Sequence, residues 1–190
     1  MTTDTPVTMQ GGCQPQPAII AWNPRLAPYL GPGRLDSPTR IAEQTDVARF
    51  YSTNAIVQYN TAFKQIVLDR GLDAVQAARL YAMWNLVGAD ALIACFDAKY
   101  HYLFWRPQFA IPQGDTDGNP DTAGDPTWTP LLATPNHPEY PPAHGCFSVQ
   151  EIIDAWGWIG FHYRNSVVKG VVQGRKVARW AMGHYFEPED

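Results

Sequence analysis

The chain has 190 residues, of which 45% are hydrophobic and 13% aromatic, a composition and length that suit one globular domain and exclude a disordered chain. Its net charge is −4 without a run of lysine or arginine, which excludes the basic surface that nucleic acids or acidic membranes attract. The three cysteines are odd in number and unclustered, which argues against a disulfide scaffold and against a zinc site.

The N-terminal segment is rich in proline, glycine and threonine. Its first residues, MTTDTPVTMQGGCQPQP, lack the basic and apolar regions of a signal peptide, and no later apolar run reaches membrane-spanning length. We expect residues 1–37 to form an extended arm over a single helical domain of residues 38–190. We also expect a soluble, cytoplasmic protein with no nucleic-acid and no membrane partner.

Helical patterns begin after this arm. Ser37 and Pro38 are typical of an N-cap and a first helical residue, and apolar side chains continue at helical spacing to Gly71, which predicts one long helix or two short ones. The next segment, LDAVQAARLYAMWNLVGADALIACFDAKYHYLFW, is apolar almost all round, as in a helix buried within a bundle. Strand signals are weak. The sequence therefore predicts an all-α fold, a helical bundle.

Proline, glycine, aspartate and asparagine punctuate residues 107–143, which predicts a long loop. Loops of this length in compact domains are usually functional. One or two further helices are expected after residue 146.

Two cations stand within an aromatic segment, KYHYLFWRPQFAIP. Lys99 and Arg106 are seven residues apart and would share one face of a continuous helix. Pro107 biases Arg106 away from helical dihedral angles. Either the two side chains snorkel from a core helix to solvent, or they converge on an anion.

Two histidines are further candidates. His144, after the prolines of YPPAHG, has the simpler interpretation of a first-turn histidine with local hydrogen bonds, and His162, in GWIGFHYR, that of a core-facing histidine. Histidine near its ordinary pKa can transfer a proton, and a neutral imidazole can act as a nucleophile or a ligand.

Together these segments resemble the first two motifs of the superfamily that joins the vanadium-dependent haloperoxidases and the type 2 phosphatidic acid phosphatases. The resemblance rests on Lys99, Arg106 and Pro107 followed by HPEYPPAHG, and extends to the soluble haloperoxidase-like branch over residues 38–147. It implies a helical-bundle fold that holds phosphate or vanadate, with vanadate as the possible cofactor.

The resemblance also implies roles for individual residues. Lys99, Arg106 and a donor at Ala143 would bind the oxyanion, and His144 would be the acid or base. His162 would attack phosphorus or ligate vanadium.

The sequence departs from the family pattern in both later motifs. In the second motif, Pro-Ser-Gly-His, Pro142 replaces the serine and offers no N–H. In the third motif Ala155 and Trp156 replace Ser-Arg, and Ser166 replaces the aspartate that partners the histidine. We therefore expect a partly eroded oxyanion site without a second guanidinium and without that carboxylate, unless an arginine substitutes: Arg164, Arg175 or Arg179.

The spacing between the second and third motifs is also short. Few residues separate His144 from Trp156, so a bundle helix is expected to be missing. A homodimer, possibly domain-swapped, would cover the exposed face with residues after Cys146, including the apolar AWGWIGF. One continuous helix would place His144 and His162 roughly 27 Å apart, so a turn near 145–148 or 157–160 is needed for one shared site.

Three functions remain open from the sequence. The first is a haloperoxidase- or acid-phosphatase-like enzyme. The second is a repurposed relative that rearranges or cyclises an apolar substrate without redox chemistry, in an aromatic substrate cavity. The third is a non-catalytic binding protein. The residues predicted to line the cavity are Tyr102, Trp105, Trp156 and Trp158, with Trp84 and Phe104.

Overall fold

A computed structural model describes residues 31–116, 123–147 and 158–185. Within these ranges the complete α-helices are α1 (Ala42–Tyr51), α2 (Ala55–Arg70), α3 (Ala74–Tyr102), α4 (Pro107–Ala110), α5 (Ala143–Phe147) and α6 (Arg164–Met182). A 3₁₀-helix, Ile111–Thr116, follows α4. The same residues contain one isolated β-bridge, between Arg34 and Pro130, and no strand. The predicted all-α class is confirmed.

Local sequence signals set the boundaries of the central helices. The side chain of Asn54 accepts hydrogen bonds from two backbone N–H groups in the first turn of α2. Gly71 ends that helix in the left-handed region, with a φ of 60°. Asp73 and Gln76 form a capping box at the start of α3. The region predicted as one long helix or two short ones is therefore two.

The helix start predicted at Ser37 is wrong. The Oγ atom of Ser37 accepts hydrogen bonds from the backbone N–H groups of Thr39 and Arg40, which forms a turn, and α1 begins only at Ala42. Side-chain bonds within the same segment hold this turn, because the Arg40 guanidinium donates to the carbonyl oxygens of Pro32, Arg34 and Leu35.

The end of the predicted arm pairs with a distant segment. The backbone N–H of Leu35 donates to the carbonyl oxygen of Thr129 at 2.8 Å, and that of Leu131 donates to Gly33 at 2.9 Å. Most of the arm, residues 1–30, lies outside the described residues. So does the segment 148–157, where the missing helix would fall, so the arm, the domain limits and the missing helix stay predictions.

The loop predicted over residues 107–143 begins as helix. Pro107 occupies the first position of α4, where its missing N–H costs nothing, and helical structure continues to Thr116. Of the described residues in this range, 123–142 have irregular structure. The prediction of one long loop is corrected accordingly.

Helices α3, α5 and α6 pack together, and α5 approaches α6 closely. A Cβ atom at Gly170 would lie 3.1 Å from the carbonyl oxygen of Pro142, and one at Gly174 would overlap the carbonyl oxygen of Cys146. The adjoining core consists of Ala48, Leu131, Ile159, Phe161, Val167 and Val171.

This core already covers part of the apolar segment that was expected to need a dimer partner. Ile159 and Phe161, from the segment expected to need a partner, are buried within the chain itself. The homodimer stays a prediction. Among the helices of the described residues, none combines the length and the apolar character that a membrane crossing demands.

Candidate oxyanion site

The two cations reach one place through a bend and not along one helix. Helix α3 ends at Tyr102, and Leu103 has a φ of 48°, a left-handed conformation that costs a residue with a side chain about 1–2 kcal/mol. Arg106 then has extended dihedral angles, φ −87° and ψ 158°, immediately before Pro107. The expected departure of Arg106 from helical geometry is confirmed, and the shared helical face is wrong.

Lys99 does not snorkel to solvent. Its side chain is fully buried, and Nζ donates to the carbonyl oxygens of Pro138 at 2.8 Å and Glu139 at 3.1 Å. Burial and the neighbouring charge of Arg106 lower the pKa of Lys99 to about 8. The ammonium group is thus held in place by backbone carbonyls on the segment that precedes the second motif.

Arg106 is fully buried as well and binds the same segment. Its Nε donates to the carbonyl oxygen of His137 at 2.8 Å, its Nη2 to the Nδ1 of His137 at 3.0 Å, and its Nη1 to the carbonyl oxygen of Phe161 at 3.2 Å. The Nδ1 of His137 also lies 3.2 Å from the carbonyl oxygen of Pro138. Because a guanidinium only donates, Nδ1 accepts from Arg106 only in the neutral tautomer that leaves this nitrogen unprotonated. Burial, with the charges of Lys99 and Arg106, lowers the pKa of His137 to about 4.

Glu139 is the anion of the cluster, and it is fully buried. Its backbone N–H donates to the carbonyl oxygen of Phe104 at 2.8 Å, which fixes it beside the bend after α3. Its Oε1 accepts from His162 Nδ1 at 2.9 Å and from the backbone N–H of Tyr163 at 3.1 Å, and its Oε2 accepts from Ser166 Oγ at 2.8 Å. Burial raises the pKa of Glu139 to about 7, although the bonds from Ser166 and Tyr163 and the charges of Lys99 and Arg106 oppose that shift.

The expected loss of a carboxylate partner for His162 is therefore wrong. Glu139 supplies the carboxylate from a different segment, and Ser166, at the position of the family aspartate, donates a hydrogen bond to it. Sequence reasoning missed Glu139, although it lies within the quoted HPEYPPAHG. A glutamate between prolines beside a histidine motif was the available signal, but nothing in its local sequence shows where its side chain points.

His162 is buried and electrically neutral. Burial and the charges of Arg106 and Lys99 hold the pKa of His162 well below its usual range. A neutral ring that donates from Nδ1 to Glu139 carries a lone pair on Nε2. That atom lies 3.5 Å from the Nη1 of Arg106, so the lone pair of His162 is next to the guanidinium.

His144 lies at the edge of the cluster. It is half-buried in the first turn of α5, with Nε2 at 3.4 Å from the carbonyl oxygen of Thr53. Burial lowers its pKa, and the charge of Lys99 contributes. The chain turns at Gly160, where φ is 79°, and a Cβ atom at Gly145 would lie 3.1 Å from the carbonyl oxygen of Val167. Since α5 and α6 pack side by side, the roughly 27 Å separation of a continuous helix does not arise.

The other predicted site residues do not join one cavity. Ala143 opens α5 and is half-buried, Tyr102 is largely exposed beside Tyr140, and Trp105 is buried with Phe104 and Ala110. Trp158 packs on the core that contains Ile159, while Trp156 and Ala155 lie outside the described residues. The placement of the described aromatic residues therefore lends no support to a rearrangement cavity. Arg175 and Arg179 are exposed on α6, away from the buried cluster.

The site is thus a buried constellation of two cations, a carboxylate and a neutral histidine at one end of a helical bundle. The family description "VCPO second helical-bundle domain" matches residues 79–156, which include Lys99, Arg106, Glu139 and His144. The match ends before His162.

The fold is also similar to the crystal structure of a bacterial vanadium-dependent iodoperoxidase. The TM-score is 0.70 at 22% sequence identity, and the alignment covers 88% of this chain and 49% of that one. The chain therefore spans about half the length of that enzyme. No curated protein matches the chain significantly. The family match and the structural match support the resemblance: the chain has a helical bundle like that of the vanadium haloperoxidases.

Proposed function

We propose that the chain is a haloperoxidase- or acid-phosphatase-like enzyme that binds a tetrahedral oxyanion, phosphate or vanadate, beside His162. The observation that carries this proposal is the pair of hydrogen bonds that flank the ring. Nδ1 is held by Glu139, and Nε2 lies beside Arg106. This arrangement fixes a neutral imidazole with its lone pair in a positively charged environment.

The charge balance of the cluster favours an anion. Lys99 and Arg106 contribute two positive charges and Glu139 one negative charge, while the low pKa values of His137 and His162 keep both rings neutral. One positive charge is therefore uncompensated in a buried place, where charge interactions are stronger than in water. An oxyanion bound there would be stabilised by charge-assisted hydrogen bonds from these two side chains.

The donor set fits an oxyanion better than a metal cation. Among the described residues no group of three or more histidine, cysteine, aspartate or glutamate side chains could hold a metal ion. Vanadate needs instead one nitrogen ligand and cationic donors to its oxygens, which His162, Lys99 and Arg106 would supply. When bound, vanadate supplies the activation of peroxide that haloperoxidases use to oxidise halide.

His144 completes the proposal as the acid or base. Its pKa is lowered, so the ring is neutral near pH 7 and can accept a proton, and it lies within electrostatic reach of Lys99 and His162. For a phosphate ester, His162 would attack phosphorus through Nε2 while Glu139 stabilises the positive charge that develops on the ring.

Erosion of the family motifs weakens the proposed site. Pro142 offers neither a hydroxyl nor an N–H, and Trp156 replaces an arginine of the pattern. We therefore expect vanadate-dependent bromide oxidation to be absent or very weak. Rapid bromination of a phenol reporter, if this reaction requires vanadate and is lost in His162→Ala, would contradict the claim that the changed motifs weaken the site.

Titration calorimetry with orthovanadate and with inorganic phosphate tests the binding itself. Lys99→Met should weaken binding by about tenfold to a hundredfold, since a hydrogen bond to a charged group contributes about 1.5–3 kcal/mol. Lys169→Met, which removes an exposed lysine from α6, is the matched control and should bind normally. Equal affinities in both folded variants would refute the role of Lys99.

Turnover of an aryl phosphate separates an enzyme from a binding protein. The enzyme hypothesis expects slow hydrolysis that His162→Gln abolishes while phosphate is still bound. Binding without hydrolysis would support the non-catalytic alternative.

A further inference from the structure

A small cavity lies between helices α3, α5 and α6. Its volume is about 160 Å³, and it is partly open to solvent. Trp84 and Ala91 line it from α3, Phe147 from α5 and Val171 from α6. Among the described residues, none of those that form the candidate oxyanion site contributes to this lining. The cavity is therefore a separate feature of the bundle.

Ring contacts hold the aromatic wall of the cavity in place. The ring centroids of Trp84 and Phe147 are 4.8 Å apart, and Trp84 also packs on Tyr59 at 4.8 Å and Phe63 at 5.0 Å, both on α2. The Phe147 ring lies directly on the backbone of α3, because a Cβ atom at Gly88 would overlap it. Packing within the chain thus sets the shape of this wall before any ligand binds.

The lining combines an apolar interior with one cation. Arg175 is the single charged residue along the part of the lining that the structure describes, and the other lining residues are mainly apolar. Arg175 is exposed, which places it at the solvent side of the cavity. Its guanidinium forms no hydrogen bond or ion pair with another described residue. Such a lining fits a small molecule with an apolar body and one negative charge.

The volume limits the apolar body to about one ring. An apolar cavity of about 150 Å³ engineered in another protein stays free of water and binds benzene. The cavity between α3, α5 and α6 has a similar volume, so it suits one six-membered ring. A carboxylate on that ring can accept two parallel hydrogen bonds from a guanidinium, which inorganic anions without an apolar body would not combine with burial of a ring.

We propose that this cavity is a binding site for a small aromatic carboxylate, with the ring against Trp84 and Phe147 and the carboxylate on Arg175. The basis of the proposal is the size and apolar lining of the cavity and the guanidinium at its solvent side. It does not depend on the proposed oxyanion chemistry, because it uses different residues.

Titration calorimetry of the full chain with benzoate tests the proposal, and benzyl alcohol is the neutral analogue of similar size. We expect saturable binding of one benzoate per chain. Arg175→Met should weaken benzoate binding by about twofold to fivefold, the contribution of a partly exposed ion pair, and should leave benzyl alcohol binding unchanged. Arg179→Met, which removes an exposed arginine that does not line the cavity, is the matched control. No saturable benzoate binding at millimolar concentration, or equal benzoate affinity in Arg175→Met and Arg179→Met, would overturn the proposal.

A second pair of variants tests the location of the ligand. Ala178→Leu fills the cavity from α6 and should weaken the binding of both ligands at least tenfold. Ala89→Leu makes the same change at an exposed position of α3 outside the cavity and should bind normally. Excess inorganic phosphate should not displace benzoate, because the oxyanion site is separate. Unchanged affinity in folded Ala178→Leu, or displacement of benzoate by phosphate, would overturn the assignment of benzoate to this cavity.

Discussion

The buried end of α3 and the outer surface of α2 invert the usual distribution of side chains. Lys99, Arg106 and Glu139 are fully buried, whereas α2 has no buried residue and leaves Val57 62% and Leu68 65% exposed. Charged groups are costly to bury unless they are hydrogen-bonded, and those of the site are: backbone carbonyls accept from Lys99 and Arg106, and His162 donates to Glu139. The side chains of the site are thus each held in place by defined hydrogen bonds. Helix α2, in contrast, presents an apolar surface that the described residues do not cover.

The largest effect is expected where the buried charges lose their anion. Glu139→Gln leaves Lys99 and Arg106 without a counter-charge and should lower the free energy of unfolding by about 3–5 kcal/mol. Urea denaturation measures this, with Glu43→Gln on the exposed face of α1 as the control. A loss below about 0.5 kcal/mol, the range of ordinary surface substitutions, would show that the charge cluster does not hold the fold.

The close approach of α5 to α6 gives the next effect. Gly174→Ala places a Cβ atom against the backbone of Cys146 and should cost about 1–3 kcal/mol through overpacking. Gly183→Ala is the matched control, because its Cβ atom would have ordinary contacts of 3.7 Å or more. Thermal unfolding of the two variants compares them, and equal midpoints would contradict the packing at this end of the molecule.

The dependence of stability on pH reports on the buried titratable groups of the site. The pKa of His137 is lowered from 6.5 to about 4, and those of His144 and His162 are also lowered, so the unfolded chain binds more protons than the folded chain in that window. Stability should therefore fall as the pH falls from 6.5 towards 4. Glu139, whose pKa is raised from 4.5 to about 7, works in the opposite direction and reduces the slope.

Histidine variants show which residue causes this dependence of the unfolding free energy on pH. His137→Asn should make the dependence of the unfolding free energy on pH shallower between pH 6.5 and about 4. His101→Asn, which changes an exposed histidine at the end of α3, should leave it unchanged. A wild-type stability that rises on acidification through this window would contradict the assignment of neutral, buried histidines.

The smallest effect is expected on the outer surface. Val167→Ala in the core should cost about 2 kcal/mol, whereas Val57→Ala on α2 should cost almost nothing in a monomer. Sedimentation velocity and unfolding at several protein concentrations test this together with the predicted homodimer. If a second copy covers α2, Val57→Ala should weaken association; a chain that stays monomeric at micromolar concentration would end the dimer hypothesis.

The sequence predicted the helices well and the convergence of the site in part. The apolar run that forms α3 and the signals at Asn54 and Gly71 act locally, so their pattern suffices. Lys99 and Arg106 were found through the motif, and Pro107 correctly predicted the extended conformation of Arg106. These features depend on near neighbours in the chain.

The remaining features depend on contacts between distant segments. The hydrogen bond between Glu139 and His162 joins residues that are 23 positions apart, and no local sequence pattern encodes it. The start of α1 was misplaced for a more local reason: Arg40 donates to the carbonyl oxygens of Arg34 and Leu35, six and five residues earlier, and these bonds hold Ser37 in a turn that resembles a helix cap in sequence. Burial of Ile159 and Phe161 likewise follows from packing on Val167 and Val171, which sequence periodicity does not show.

The most direct test of the central claim is nitrogen NMR of the histidine rings during titration with orthovanadate or inorganic phosphate. The account predicts that the Nε2 resonance of His162 shifts on binding, that its Nδ1 stays protonated through the bond to Glu139, and that exposed His101 does not respond. Saturable binding of either anion with no change at the His162 ring, or no binding at all by the folded protein, would contradict an oxyanion site beside His162.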